Sequence, residues 1–152
     1  MGQCAQKAMA PPTLGQQQLD PSVIQVTIQK RVGDNANIIL WDSVYQTIEP
    51  TDVQNFIRYN ANLKYILDRY DCDDFSISLC ARVREWVHDA PGTGGVCFGI
   101  MTGDLRKKPE DPARPHATCF FIDSQLQVWI AEGMWNDVYL MPDSFQVWQI
   151  IL

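Results

Sequence analysis

The chain of 152 residues is the size of one compact domain, and its 46% apolar and 11% aromatic content supplies a core and excludes end-to-end disorder. Twelve Lys and Arg against 18 Asp and Glu give a formal charge of -6, which argues against nucleic-acid binding. No apolar run approaches the length needed to span a bilayer, the N-terminus has no signal-like stretch, and a cytoplasmic protein with no membrane partner is expected.

Residues 1 to 20 are rich in Gln and Pro and lack periodicity, which predicts a flexible arm before a single domain over residues 21 to 152. Ile24, Val26 and Ile28 alternate between Pro21 and Gly33, the pattern of a strand. Ile38 to Trp41 reads as a short extended piece. Glu49-Pro50-Thr51-Asp52 opens a helix bearing Val53, Phe56 and Ile57, with Thr51 or Asp52 as its N-cap, and Leu63, Ile66 and Leu67 continue a helical pattern. A third helix starts at Asp71-Cys72-Asp73-Asp74 and buries Phe75, Leu79, Val83 and Trp86 on one face. From Val96 onward the chain is strand-like: Val96 to Met101, Ala117 to Asp123, Val128 to Ala131, Val138 to Leu140 and Val147 to Leu152. Helices followed by strands predict an α+β domain in which helices pack on an antiparallel sheet of four to five strands. The connection Gly103 to Pro115 is long for a hairpin, a common property of functional loops.

The five cysteines, Cys4, Cys72, Cys80, Cys97 and Cys119, contain no C-x-x-C pair and no even framework, so reduced thiols are expected. Cys72 differs from the others in lying in the first turn of a helix capped by Asp71, with Asp74 placed for a capping box. Backbone N–H groups there favour thiolate over thiol. Cys80, Cys97 and Cys119 fall in apolar stretches and read as core.

A thiol nucleophile needs an imidazole to take its proton and an acceptor to orient that imidazole. His88 sits at a helix end, where the helix dipole explains it. His116 opens an apolar strand at the mouth of the long loop. Glu132 ends the next strand and approaches His116 if the two pair through a hairpin at Ser124-Gln125, with Asp123 as a weaker alternative. The catalytic candidates are therefore Cys72, His116 and Glu132. The Cys72 N–H is one oxyanion donor, and Gln46, Asn60 or Asn62 could supply a second.

Cysteine at a helix start, histidine at a strand start and an acid on the next strand is the order of papain-like and transglutaminase-like hydrolases. The words Tyr70-Asp71-Cys72-Asp73-Asp74-Phe75, His116-Ala117 before Cys119-Phe120-Phe121-Ile122-Asp123, and Val128-Trp129-Ile130-Ala131-Glu132 resemble the C-terminal cysteine-protease domain of the fungal Marasmius oreades agglutinin family over about Ile38 to Leu152. The resemblance implies a papain-like fold and a calcium-dependent protease acting on protein or peptide substrates. Cys72 would be its nucleophile, His116 its base and Glu132 the orienting acid, with Asp71, Asp73 and Asp74 as carboxylates for calcium or another hard divalent cation. A bound cation would reverse the anionic field that raises a thiol pKa, although the spacing is not that of an EF-hand. Glu132 is followed by Gly133-Met134 where the family has Pro-Gln, so substrate preference does not transfer. No sugar-binding trefoil and no carbohydrate recognition are expected within these residues. Two other classes share the layout: a peptidoglycan amidase or endopeptidase, and a catalytically inert papain-like interaction module with its five tryptophans, Trp41, Trp86, Trp129, Trp135 and Trp148, in the core, along a cleft or on a partner surface.

Overall fold

The structure, a computed structural model, describes residues 9–60, 71–106, 108 and 110–152. The expected helical pattern at Leu63, Ile66 and Leu67 lies outside them, as do Cys4, Asn62 and Tyr70. In chain order the elements are β1 (Gln18–Leu19), α1 (Pro21–Val32), β2 (Asn37–Ile39), β3 (Tyr45–Gln46), α2 (Pro50–Tyr59), α3 (Cys72–Val87), β4 (Gly95–Val96), β5 (Phe98–Asp104), β6 (Pro115–Ile122), β7 (Val128–Glu132), β8 (Asp137–Leu140) and β9 (Gln146–Ile151).

The α+β class is as expected, but the main sheet differs from the predicted antiparallel sheet of four or five strands. It has six strands in the order β2-β9-β5-β6-β7-β8, and β2 runs parallel to β9. A second, three-stranded sheet, β1-β3-β4, holds short segments. The element composition establishes an α+β domain and does not by itself establish a papain-like fold.

Both faces of the main sheet are covered, which explains why β6 reads as an unbroken apolar run. Phe120 and Ile122 join Ile24 and Ile28 of α1 in one core, while Cys119 and Phe121 join Phe56 of α2 with Leu79 and Val83 of α3 in the other.

The segment expected to be a strand at Val23 is α1. Asp20 accepts a hydrogen bond from the Ser22 N–H at 2.8 Å, Pro21 occupies the first turn, and the helix ends at Gly33 with φ 74°. Ile24 and Ile28 are buried one helical turn apart, whereas Val26, on the same face of a strand, is 49% exposed. Residues 9–20 of the expected arm pack against the domain. Leu14 and Leu19 are buried, the Gly15 N–H donates to Thr47 O at 2.9 Å, and Trp86 Nε1 donates to Ala10 O at 2.7 Å.

In α2 the cap is Glu49, ahead of the expected Thr51 or Asp52, because Pro50 takes the first helical position. At α3 Asp71 is the N-cap and forms the expected capping box with Asp74. Beside β6, the pairing of β5 with β9 shifts register between Thr102 and Gly103. Gly103 stands opposite His116 in β6. A Cβ at Gly103 would lie 2.3 Å from Gln146 O, so glycine is what allows the bulge here.

Candidate functional site

A groove of about 910 Å³ opens at one end of the main sheet. Its walls come from three segments: Asp71 and Cys72 at the start of α3, the β5–β6 connection with Arg106, Asp111 and Arg114, and the β7–β8 turn with Met134 and Trp135. His116, Glu132 and Tyr139 line it from the strands. The expected trio Cys72, His116 and Glu132 therefore shares one cavity.

Strand register accounts for the histidine–carboxylate part. β6 and β7 are paired with Cys119 opposite Ala131 and Phe120 opposite Ile130. By the two-residue period, His116 lies on the face of Phe120 and Glu132 on the face of Ile130, which is one face of the sheet. His116 Nε2 lies 3.2 Å from Glu132 Oε1 and 3.3 Å from Oε2. Glu132 is only 3% exposed, so its carboxylate depends on such partners for its charge. With Nε2 facing the carboxylate, Nδ1 is the ring nitrogen available to another group. Trp135 covers the imidazole, with ring centroids 5.9 Å apart.

Asp123, the alternative acid, is at the other end of β6 and serves the turn. Its Oδ1 accepts from the Gln125 and Gln127 N–H groups, and its Oδ2 from Trp129 Nε1 at 2.8 Å. His88 caps the end of α3, with its exposed ring 2.9 Å from Asp89 Oδ1. Of the candidates for the second oxyanion donor, Gln46 and Asn60 do not line the groove, and Asn62 lies outside the described residues. Gln46 donates through Nε2 to Gly15 O at 3.0 Å, and Asn60 donates through Nδ2 to Phe56 O at 2.9 Å. Among the described residues the other three cysteines are core thiols as expected, Cys97 and Cys119 buried and Cys80 partly so. Burial pushes the Cys97 pKa up to about 12 and those of Cys80 and Cys119 upward.

Of the three carboxylates expected to hold a cation, two converge. The ligand atoms of Asp71, Cys72 and Asp73 all lie within 4.8 Å of one another. A hydrogen bond between the two carboxyls pushes the Asp71 pKa up and that of Asp73 down. Two acids held this close take up a proton or a cation readily. Asp74 instead accepts from the Asp71 N–H at 3.4 Å, completing the capping box.

Two groups in the groove, Tyr139 and Arg106, were not anticipated, whereas Trp135 is one of the five tryptophans expected in the core, along a cleft or on a partner surface. Tyr139 donates through its hydroxyl to Glu132 Oε1 at 3.3 Å. Arg106 pairs with the buried Asp104 at 3.0 Å, and Asp104 also accepts from the Arg114 N–H at 3.3 Å, so one carboxylate gathers both ends of the long connection. Trp135 comes from a turn whose register only the folded hairpin defines. Asp137 opposite Glu132 is the pairing that a sequence search for Tyr139 would have needed.

Comparison with known proteins finds no matching family model and no matching curated relative. Among solved structures the chain is similar to one titled "PSL1a-E64 complex", with TM-score 0.74, 14% identity, and coverage of 89% of this chain and 51% of that one. It is also similar to Polyporus squamosus lectin bound to the epitope Neu5Aca2-6Galb1-4GlcNAc, with TM-score 0.71, 15% identity and coverage of 89% and 49%. The chain thus shares a fungal-lectin fold and spans about half the length of these neighbours. This finding corrects the expectation of an enzyme of the cysteine-protease class: a lectin with a bound carbohydrate epitope stands among the neighbours, neither title names a protease, and they lend no support to a peptide substrate. The order of Cys, His and Glu along a chain points to a local geometry, and a geometry is not an activity. Among the described residues no helix is long and apolar enough to cross a membrane.

Proposed function

We propose that the chain is a papain-like interaction module whose groove captures a ligand through a nucleophilic thiol. Cys72 supplies the sulfur, His116 accepts its proton at Nδ1, and Glu132 fixes the ring. The observation that carries this reading is the contact of His116 Nε2 with both oxygens of Glu132, at 3.2 and 3.3 Å, inside the groove that Cys72 also lines.

A carboxylate at Nε2 favours the tautomer with its proton on that nitrogen and leaves the lone pair on Nδ1. Proton transfer from the thiol to Nδ1 creates a thiolate and an imidazolium, and the buried Glu132 carboxylate stabilises the latter. The start of α3 adds its backbone N–H groups to the field at the sulfur. A ligand with a strained C–O bond or an activated C=C bond would then add to sulfur: the S–C bond forms as the C–O or π bond breaks, the His116 imidazolium returns its proton to the anion so formed, and with no group leaving the ligand is retained. The titles of the two similar structures, one an E64 complex and one a lectin with a bound sialylated epitope, support ligand capture as a use of this fold.

Asp71 and Asp73 are the carboxylates that would hold calcium or another hard divalent cation, with water completing the coordination that two residues leave short. Bound there, the cation would offset the anionic field beside Cys72.

Intact-mass analysis after iodoacetamide treatment, with calcium and with chelator, tests the reading. One adduct on Cys72, absent in Cys72→Ala and slowed at least about ten-fold in His116→Ala, is expected. Chelation is expected to slow the reaction in the parent and to leave Asp73→Asn unaffected. Equal labelling of several cysteines would sink the reading. Digestion of an unfolded protein that disappears in Cys72→Ala would replace capture with turnover.

A further inference from the structure

We infer that Tyr139 is a positioning residue, whose hydroxyl holds the Glu132 carboxylate and thereby the His116 ring in the orientation that leaves Nδ1 for Cys72. This rests on the reading of the groove as a thiol–imidazole site and adds a member that acts through the carboxylate.

The geometry is specific. Tyr139 stands opposite Ile130 in the β7–β8 pairing, and Asp137 stands opposite Glu132, so the phenol ring lies diagonally across from the carboxylate on the same face. Its hydroxyl donates at 3.3 Å to Oε1, the oxygen 3.2 Å from His116 Nε2. One carboxylate oxygen is thus gripped from two sides, by β6 and by β8. A carboxyl group on a side chain with free torsions would otherwise turn about its last bond, and the imidazole would turn with it. The grip fixes both.

Charge reinforces the assignment. Burial, followed by the neighbouring Glu132 charge and the hydrogen bond to it, pushes the Tyr139 pKa up, so the phenol remains a donor wherever a thiol titrates. The groups facing this pair are Cys72 and Asp71 from α3, Arg106, Asp111 and Arg114 from the β5–β6 connection, and Asp137 from β8. Tyr139→Phe removes the hydroxyl that donates to Oε1 and keeps the ring and its packing.

The test follows the rate of Cys72 alkylation by iodoacetamide across acidic to mildly alkaline pH for the parent, Tyr139→Phe, Glu132→Gln and the double variant. Tyr139→Phe is expected to slow the reaction about ten-fold near neutrality, the size of one hydrogen bond to a charged group. In the Glu132→Gln background the second substitution is expected to add nothing, because the two act through one group. A Tyr139→Phe profile superimposed on the parent, or full additivity in the double variant, overturns the inference.

Nitrogen NMR of His116 separates this failure from failure of the groove reading. If parent Cys72 does not react selectively, the capture reading falls, yet the imidazole signals still report on Tyr139. A single Nε2–H tautomer in the parent that becomes a mixture in Tyr139→Phe supports the positioning role, and an unchanged tautomer overturns it.

Discussion

The indole of Trp135 lies over the imidazole of His116, with centroids 5.9 Å apart and planes inclined by 39°. At 59% exposure the indole contributes little to the core and acts as a cover on one side of the groove. Trp135→Ala is expected to change unfolding free energy by less than about 0.5 kcal/mol. It should raise the reactivity of Cys72 toward a bulky maleimide relative to iodoacetamide. Parallel rate measurements with the two reagents check this, and an unchanged ratio would show that the indole does not gate access.

The assignment of residues 21–32 to a helix is open to a direct substitution test. Ile28→Ala, at a fully buried position, is expected to cost about 3 kcal/mol in urea denaturation. Val26→Lys, on the exposed side of α1, should stay within about 0.5 kcal/mol of the parent. In a strand both side chains would share a face and both changes would be severe.

Asp104 ties the two ends of the connection that forms one wall of the groove, through Arg106 at 3.0 Å and the Arg114 N–H at 3.3 Å. Its side chain is 11% exposed, so the pair is little screened by solvent. Asp104→Asn removes the carboxylate charge from this largely buried pair, and a loss of about 2–3 kcal/mol is expected. Faster proteolysis between residues 105 and 114 should accompany it. Cleavage elsewhere, with this segment intact, would contradict the role assigned to Asp104.

Alkaline pH should destabilise the fold. Burial pushes Cys97 from an ordinary 9.0 up to about 12 and pushes Cys119 well up, so above about pH 9 the unfolded chain loses protons that the native chain keeps. Native protein then binds more protons than unfolded protein, and stability falls as pH rises. The slope for each thiol is about 1.4 kcal/mol per pH unit across that window. Urea transitions at stepped pH give the slope, and Cys97→Ala is expected to reduce it. An identical slope in that variant would place the effect elsewhere.

Local chemistry was readable from the chain where it was self-contained. Asp71 and Asp74 announce the start of α3, and the apolar runs Cys119 to Ile122 and Val128 to Ala131 bring Glu132 toward His116 once a hairpin between them is assumed. At Val23 to Gln29 apolar alternation misleads, because Ile24 and Ile28 satisfy a helix and a strand equally. The deciding chemistry lay at the ends, in the Asp20 cap, Pro21 and Gly33. Gln46 illustrates a different limit: a side chain eligible to donate in the groove is committed to Gly15 O by the packing of residues 9–20. Tyr139 was hidden because the register across Gly133 to Asn136 depends on the fold. Word order alone also carried the protease expectation further than the lectin neighbours allow.

β9 sits between β2 and β5, joined to β2 in parallel and to β5 in antiparallel fashion. Residues 37–39 and 98–104 therefore complete their ladders only when residues 146–151 arrive, long after synthesis of both on a ribosome. Until then two apolar strand edges stand open, a template for association with other nascent chains. The high contact order of this closure makes it a slow step in folding, and it makes occupancy of those edges by a chaperone during translation consequential for yield.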